Sequence, residues 1–202
     1  MLLHAFIPAS RANGPGLRSV VFFQGCSLGC HGCFNPGSHV FDPGTQVDNL
    51  VVAERVLQAH KEYGTEGVTF SGGEPMQQAP ALLELIQTLR QQLPSFSFGL
   101  FSGYSDLELL LGEYSIWGCD YSEPDRRRLW EEIREHLDFA VLGRFNEAQP
   151  SGLPLRTSRS QALRMLTSRY GVKDYGPQSV EVIVHSDGRA EVTGFPILGL
   201  PW

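Results

Sequence analysis

Three cysteines, Cys26, Cys30 and Cys33, fall within eight positions of the stretch QGCSLGCHGCFNPG, and only Cys119 lies elsewhere in the chain. The N-terminus lacks a charged start followed by a long apolar stretch, so a secretory signal is not expected and a reducing cytoplasm is the default location. There, clustered thiols bind metal or do redox chemistry more often than they form structural disulfides. Cys30-His31-Gly32-Cys33 has the CxxC spacing of a zinc site completed from Cys26, His31, His39 or Cys119, or of a redox pair. The full C-x3-C-x2-C spacing favours a cubic [4Fe–4S] cluster, in which three thiolates from one tight loop hold three corner irons and leave the fourth open. Gly25, Gly29 and Gly32 suit a loop that wraps a compact inorganic core, and its N–H groups are placed to bond cluster sulfurs.

The elements around this loop set its position. RSVVFFQG reads as a strand running into the cysteines, and GVTFSGG and SFSFGLFSG as two more. DNLVVAERVLQAHKEYG reads as a helix capped by Asp48 and closed by Gly64. PMQQAPALLELIQTLRQQL is a helix with a buried stripe of Leu82, Leu85, Ile86 and Leu89. SDLELLLGE is a short helix, YSIWGCDYSEP an irregular insertion, DRRRLWEEIREHL a helix and DFAVLGRF a strand. NEAQPSGLPLRTSRS reads as loop and SQALRMLTSRYG as a helix. VEVIVHSDGRAEVTGFP reads as a hairpin turning at Asp187-Gly188. Strands alternating with helices predict a parallel sheet with crossover helices. At 202 residues the chain is short of the ~250 typical of a closed eight-fold barrel. The expected fold is α/β: one domain, residues 1–202, forming a partial (β/α) barrel of about six units with a C-terminal hairpin. In such sheets reactive groups gather at the carboxyl ends of the strands, which would bring the cysteine loop, SGGEP (Ser71–Pro75) and SGYS together.

Composition narrows the partners. A formal net charge of −6 argues against a nucleic-acid surface, and Arg126–Arg128 read as the solvated face of a helix. No run of 18 apolar residues occurs, so no membrane span is expected. His4, His136 and His185 read as isolated histidines without function, and Cys119 as an incidental thiol.

CSLGCHGC resembles the signature of the radical S-adenosylmethionine superfamily. More narrowly, NGPGLRSVVFFQGCSLGCHGCFNPGSHVF resembles the activating enzymes of glycyl radical enzymes, including those of anaerobic ribonucleotide reductase and pyruvate formate-lyase. SGGEP is similar to the GGEP segment of that group, FSGYSDLEL to the SGY strand end of the ribonucleotide reductase activases, and RTSRSQALRML to their Ser-Asn-Gln segment. Leu142 stands where those activases tend to carry an acid, Ser160 replaces their asparagine, and the 115–128 insertion has no counterpart.

The resemblance implies a [4Fe–4S] cluster on Cys26, Cys30 and Cys33, with S-adenosyl-L-methionine gripping the open iron. Reductive cleavage would give methionine and a 5′-deoxyadenosyl radical, used to install a glycyl radical on a partner enzyme. A flavodoxin or ferredoxin would supply the electron. No side chain need act as a catalytic acid or base. Gly72, Gly73, Glu74 and Pro75 would border the methionine end, with Glu74 accepting from the amino group. Gly32 and Phe34 would meet the adenine, and Ser102 the ribose. Arg18 would touch the cofactor or a cluster-loop carbonyl, or face solvent, and NGPGLR would form a partner-facing rim. An open barrel would admit a protein substrate. The competing readings are a stand-alone radical enzyme acting on a metabolite or peptide, and a zinc-binding interaction module without catalysis. SGGEP by itself also suits a plain strand-to-helix turn with Pro75 at the first helical position.

Overall fold

The computed structural model describes residues 1–184, 188 and 190–195. Six strands form one sheet in sequential order: β1 (Leu3–Ser10), β2 (Arg18–Phe23), β3 (Gly67–Gly72), β4 (Ser97–Ser102), β5 (Phe139–Leu142) and β6 (Ala162–Met165). β2 to β5 run parallel, and β1 and β6 close the two edges antiparallel. Strands added in chain order through right-handed crossovers place every connecting helix on one face. The sheet is therefore the open, partial (β/α) barrel expected, with an outer helical layer and an inner face on which Phe139 and Val141 pack with Leu155 and Tyr175.

The crossover helices are α1 (Asn49–Tyr63), α2 (Ala79–Gln92), the short α3 (Asp106–Leu111) and α4 (Glu123–His136). Their ends follow local chemistry. The Asp48 carboxylate accepts the Leu50 N–H and Gly64 closes α1 in the left-handed region at φ 69°, while Ser105 and Glu108 form a capping box on α3. Val21, Phe23, Val68, Phe70, Phe98, Leu100, Ala140 and Leu142 point outward into one apolar core with Leu82, Leu85, Ile86, Leu89, Trp130 and Ile133 of the helices. The alternate residues point inward, where Val20, Thr69, Gly99 and Phe139 stand in one row across the sheet. A separate two-stranded antiparallel sheet, β7 (Val180–Val184) and β8 (Ala190–Gly194), forms the C-terminal hairpin. Asp187 of its expected turn, and His185, lie outside the described residues.

Several expectations are corrected. SQALRMLTSRYG is not a helix: Ala162–Met165 form β6 against β5, with Ala162 opposite Leu142 and Met165 opposite Phe139. Without this segment β5 would be an open edge, and pairing its backbone groups outweighs a weak helical pattern. MLLHAFIPAS, weighed above only against a secretory signal and given no element, contains β1. The 3-10 turn Pro75–Gln78 precedes α2, because the Glu74 side chain captures the Met76 N–H and tightens the first turn. Arg126 is not simply solvated: it donates to the carbonyls of Gly112 (2.6 Å) and Tyr121 and pins the irregular segment before α4.

Inside the sheet, Arg18 is fully buried. It touches neither cofactor loop nor solvent. Its guanidinium donates to Thr69 Oγ1 (2.8 Å), Ser97 Oγ (3.1 Å) and the carbonyls of Val68 (2.9 Å), Ser97 (3.2 Å) and Pro15 (3.2 Å). It also lies 5.0 Å from the centre of the Phe139 ring. Arg18 thus fills the amino-terminal end of the inner face. Asn13 and Pro15 are buried beside it, Gly14, Gly16 and Leu17 are half-buried, and Asn13 reaches the cleft at the carboxyl end of the sheet.

Candidate active site

The carboxyl ends of β2 to β5 lead into the cysteine loop, Gly73-Glu74, Gly103-Tyr104 and Gly143-Arg144. These segments line one cleft together with Phe22, Leu28, Phe34, Phe101, Phe145 and residues of β8. The glycines at the end of β3 make the approach possible. Gly72 has φ +106°, and a Cβ on Gly73 would lie 2.3 Å from the Gly25 carbonyl oxygen. Across this contact the Glu74 N–H donates to Gly25 O (2.9 Å) and the Gly73 N–H to Phe23 O (2.8 Å). The GGE segment is therefore stitched directly to the residue before Cys26.

Cys26, Cys30 and Cys33 are half-buried and all three line the cleft; Cys119 is exposed on the 113–121 segment and does not. Burial pushes the Cys26 thiol up to about 11 and raises that of Cys33. Thiolates here need a cationic partner, which iron supplies. Among the described residues no three His, Cys, Asp or Glu side chains are grouped to hold a single metal ion. Cys26, Cys30 and Cys33 all border the same cleft. The donor set fits three irons of a [4Fe–4S] cluster, with Glu74 and glycine backbone, not a fourth thiol, on the facing wall.

Glu74 is 1% exposed. Its Oε1 accepts from the Met76 N–H (2.9 Å) and Ser102 Oγ (2.8 Å), its Oε2 from the Gly103 N–H (2.7 Å). Three bonds leave acceptor capacity on Oε2 for a ligand in the cleft. Burial outweighs these bonds and pushes the carboxyl up to about 7. Arg144 supports this wall: it donates to the Gly103 carbonyl (2.6 Å), binds Glu108 with both terminal nitrogens (2.8 and 2.9 Å) and lies over Tyr104.

The other expected contacts are placed as follows. Gly32 is exposed at φ +70° and lines a groove beside the cleft with Phe34, Val180 and Val192. Phe34 is not a core residue: its ring is partly exposed and sits 4.8 Å from that of Phe145, forming an aromatic wall. Ser102 faces the cleft, but its proton is committed to Glu74 and it accepts the Tyr104 N–H (3.1 Å), so a ribose hydroxyl would find only a lone pair there. Pro75 is buried at the start of its 3-10 turn and does not line the cleft. Sequence reasoning missed Asn13, Thr157, Gln161 and Thr193, the polar residues of the opposite wall. Gln161 Oε1 is fixed by Thr157 N–H (3.1 Å), Thr157 Oγ1 (3.2 Å) and Ser158 N–H (3.2 Å). Its only sequence signal was the RTSRSQ segment, read as loop and helix. Asn13 and Thr193 meet at 2.8 Å although 180 residues apart, a contact without a local signature.

An open α/β sheet with three thiols and a buried carboxylate at the carboxyl ends of its parallel strands is the frame of a single-cluster iron–sulfur enzyme. The chain belongs to the 4Fe-4S single cluster domain family, whose profile matches residues 12–164. It is 28% identical over 174 residues to the anaerobic ribonucleoside-triphosphate reductase-activating protein of Vibrio cholerae, covering 83% of this chain and 99% of that one. It is 33% identical over 142 residues to the pyruvate formate-lyase-activating enzyme of Clostridium pasteurianum, covering 69% of this chain and 50% of that one. The crystal structure of QueE from Escherichia coli matches 45% of each chain at 20% identity with a TM-score of 0.35, too loosely to carry an argument.

Proposed function

We propose that this chain is a radical S-adenosylmethionine activating enzyme that installs a glycyl radical on a partner enzyme. The observation that carries the reading is one cleft shared by three thiols, a glycine-lined strand end and a buried carboxylate, with no fourth thiol lining it. Cys26, Cys30 and Cys33 would hold the cluster, and the Gly72-Gly73 backbone and Glu74 would seat the methionine end of the cofactor. When bound, the cluster would supply the electron that breaks the sulfonium C–S bond, giving methionine and a 5′-deoxyadenosyl radical. Glu74 Oε2 would accept an N–H of the cofactor's amino group, holding it at the open corner of the cube. Phe34 and Phe145 would flank the nucleoside and exclude water from it, and Ser102 would act mainly by keeping Glu74 in place. The fold would contribute position and exclusion of solvent, while the hard chemistry belongs to the cofactors.

Coverage supports an anaerobic ribonucleotide reductase as the partner class: the match spans nearly all of that relative and half of the pyruvate formate-lyase activase. A low-potential flavodoxin or ferredoxin would deliver the electron. No helix among the described residues is long and apolar enough to cross a membrane. The test is anaerobic. Reconstituted, reduced protein is mixed with S-adenosylmethionine and the reductase or lyase encoded near it, and the partner is examined by electron paramagnetic resonance. The expected result is a glycyl radical doublet on the partner. Turnover of the cofactor with a small metabolite, and no radical on any protein partner, would overturn the activase reading.

A further inference from the structure

Among the described residues, Glu74 is the only carboxylate lining the cleft, and no Lys, Arg or His side chain lines it. In the proposed function Glu74 is taken by the cofactor's amino group. The wall formed by Asn13, Thr157, Gln161 and Thr193 is polar but uncharged. Such a wall does not offset the desolvation of a phosphate, a carboxylate or an ammonium group. It suits a neutral ligand that brings its own donors and acceptors.

Hydrogen bonds fix which atoms this wall has left to offer. Backbone N–H groups can only donate, so those of Thr157 (3.1 Å) and Ser158 (3.2 Å) turn Gln161 Oε1 toward its own loop. The Nε2 donors are left over, and among the described residues nothing accepts from them. Asn13 is oriented by a longer chain. The Glu181 carboxylate takes the Ser10 hydroxyl proton, so Ser10 Oγ can only accept, and the Asn13 atom 2.9 Å from it is Nδ2. The other Nδ2 hydrogen goes to Thr193 Oγ1 (2.8 Å). Asn13, 4% exposed, is left with Oδ1 as an unused acceptor, and Thr193, 5% exposed, with its hydroxyl proton as an unused donor. Each of the three residues lines the cleft.

We propose that Gln161, Asn13 and Thr193 form the subsite for the main chain of the protein substrate around the residue that loses hydrogen. A glycine has no side chain to read, so its recognition must go through its backbone. Peptide main chain is neutral and alternates C=O with N–H groups. Its carbonyls accept from Gln161 Nε2 and the Thr193 hydroxyl, and its N–H donates to Asn13 Oδ1. The rings of Phe101 and Phe195, 5.5 Å apart, supply an apolar lining beside these groups. Through Thr193, and through Glu181 acting on Ser10, the C-terminal hairpin completes the subsite. This inference rests on the proposed function, since it assigns the wall that the cofactor leaves free.

The experiment uses the reduced, reconstituted holoenzyme, S-adenosylmethionine and a short peptide spanning the partner's radical glycine, deuterated at that Cα. Homolysis of the Cα–D bond leaves the radical on the glycine and carries deuterium into 5′-deoxyadenosine, where mass spectrometry reads it. Gln161→Glu keeps an acceptor for the Thr157 and Ser158 N–H groups and replaces the unused donor by an acceptor. KM for the peptide is expected to rise about tenfold, as loss of one hydrogen bond to a carbonyl implies. The dissociation constant for S-adenosylmethionine, read from the cluster's electron paramagnetic resonance signal, is expected to stay at the parent's value. A peptide KM equal to the parent's would overturn the proposal. So would a cofactor affinity that falls by the same factor, which assigns this wall to the nucleoside. If Gln161→Glu does not fold, Thr193→Val, equal in shape and lacking the hydroxyl donor, is read the same way. A parent that moves no deuterium from the peptide and places no radical on the whole partner overturns the functional reading instead.

Discussion

Replacing Glu74 by glutamine removes a charge that the fold itself resists. The carboxyl is fully buried and is raised from 4.5 to about 7, chiefly by burial, against the opposing pull of three hydrogen bonds and Arg144. In the unfolded chain it ionises near 4.5, in the folded chain near 7. Between these values the unfolded state binds fewer protons, so stability falls as pH rises. The penalty is absent below pH 4.5 and complete above pH 7, and the shift corresponds to about 3 kcal/mol. Glu74→Gln lacks this dependence. It carries a separate, pH-independent cost of about 1–3 kcal/mol, because its amide cannot accept from Met76, Ser102 and Gly103 all at once. Urea unfolding of the cluster-free parent and Glu74→Gln between pH 4.5 and 8 separates the two effects. The difference in unfolding free energy should swing by about 3 kcal/mol in favour of glutamine across this range. A difference flat with pH, or one that swings toward the parent, would refute the reasoning. In holoenzyme the same substitution should weaken S-adenosylmethionine binding about tenfold to a hundredfold, through loss of one charged hydrogen bond.

Gly73→Ala should abolish cluster uptake and lower expression, since its Cβ meets the Gly25 backbone at 2.3 Å; Gly103→Ala should be tolerated far better, since the close contact of its Cβ is the end of the flexible Leu28 side chain, with Glu74 Oε2 at an ordinary 3.4 Å. Iron analysis and thermal melts of both variants read this contrast. Arg18→Met should cost about 2–4 kcal/mol and lower the melting temperature by roughly 4–16 °C, because carbonyls of Val68, Ser97 and Pro15 lose their donor. Its effect on cluster spectra should be negligible, which distinguishes it from a cofactor contact. Cys30→Ala should lose the four-iron cluster, while Cys119→Ala should load as the parent does, by iron and sulfide assay.

The cysteine loop and the GGE strand end were legible because their chemistry is local: thiol spacing, glycines and an acid beside a proline all lie within a few residues. The caps at Asp48 and Gly64 were legible for the same reason. β6 was not, because Ala162–Met165 become a strand only when β5 offers its free edge. Arg18 was misread because a charged residue after glycines looks exposed, and only the inward polar row of Thr69 and Ser97 makes its burial tolerable. Ser102 looked like a ligand contact, yet its nearest need is a buried carboxylate 28 residues earlier. Gln161, Thr157 and Asn13 carry no spacing that announces a cleft; folding assembles that wall from distant loops.

The central claim is that three thiolates hold a four-iron cluster whose remaining iron is open to a ligand. Electron–nuclear double resonance on the reduced, reconstituted protein, with S-adenosylmethionine labelled by 15N at its amino group, tests it directly. The account predicts a four-iron signal that changes on adding the cofactor and shows coupling to the labelled nitrogen. A four-iron signal that ignores the cofactor, or protein that holds zinc and no sulfide after anaerobic purification, would contradict it.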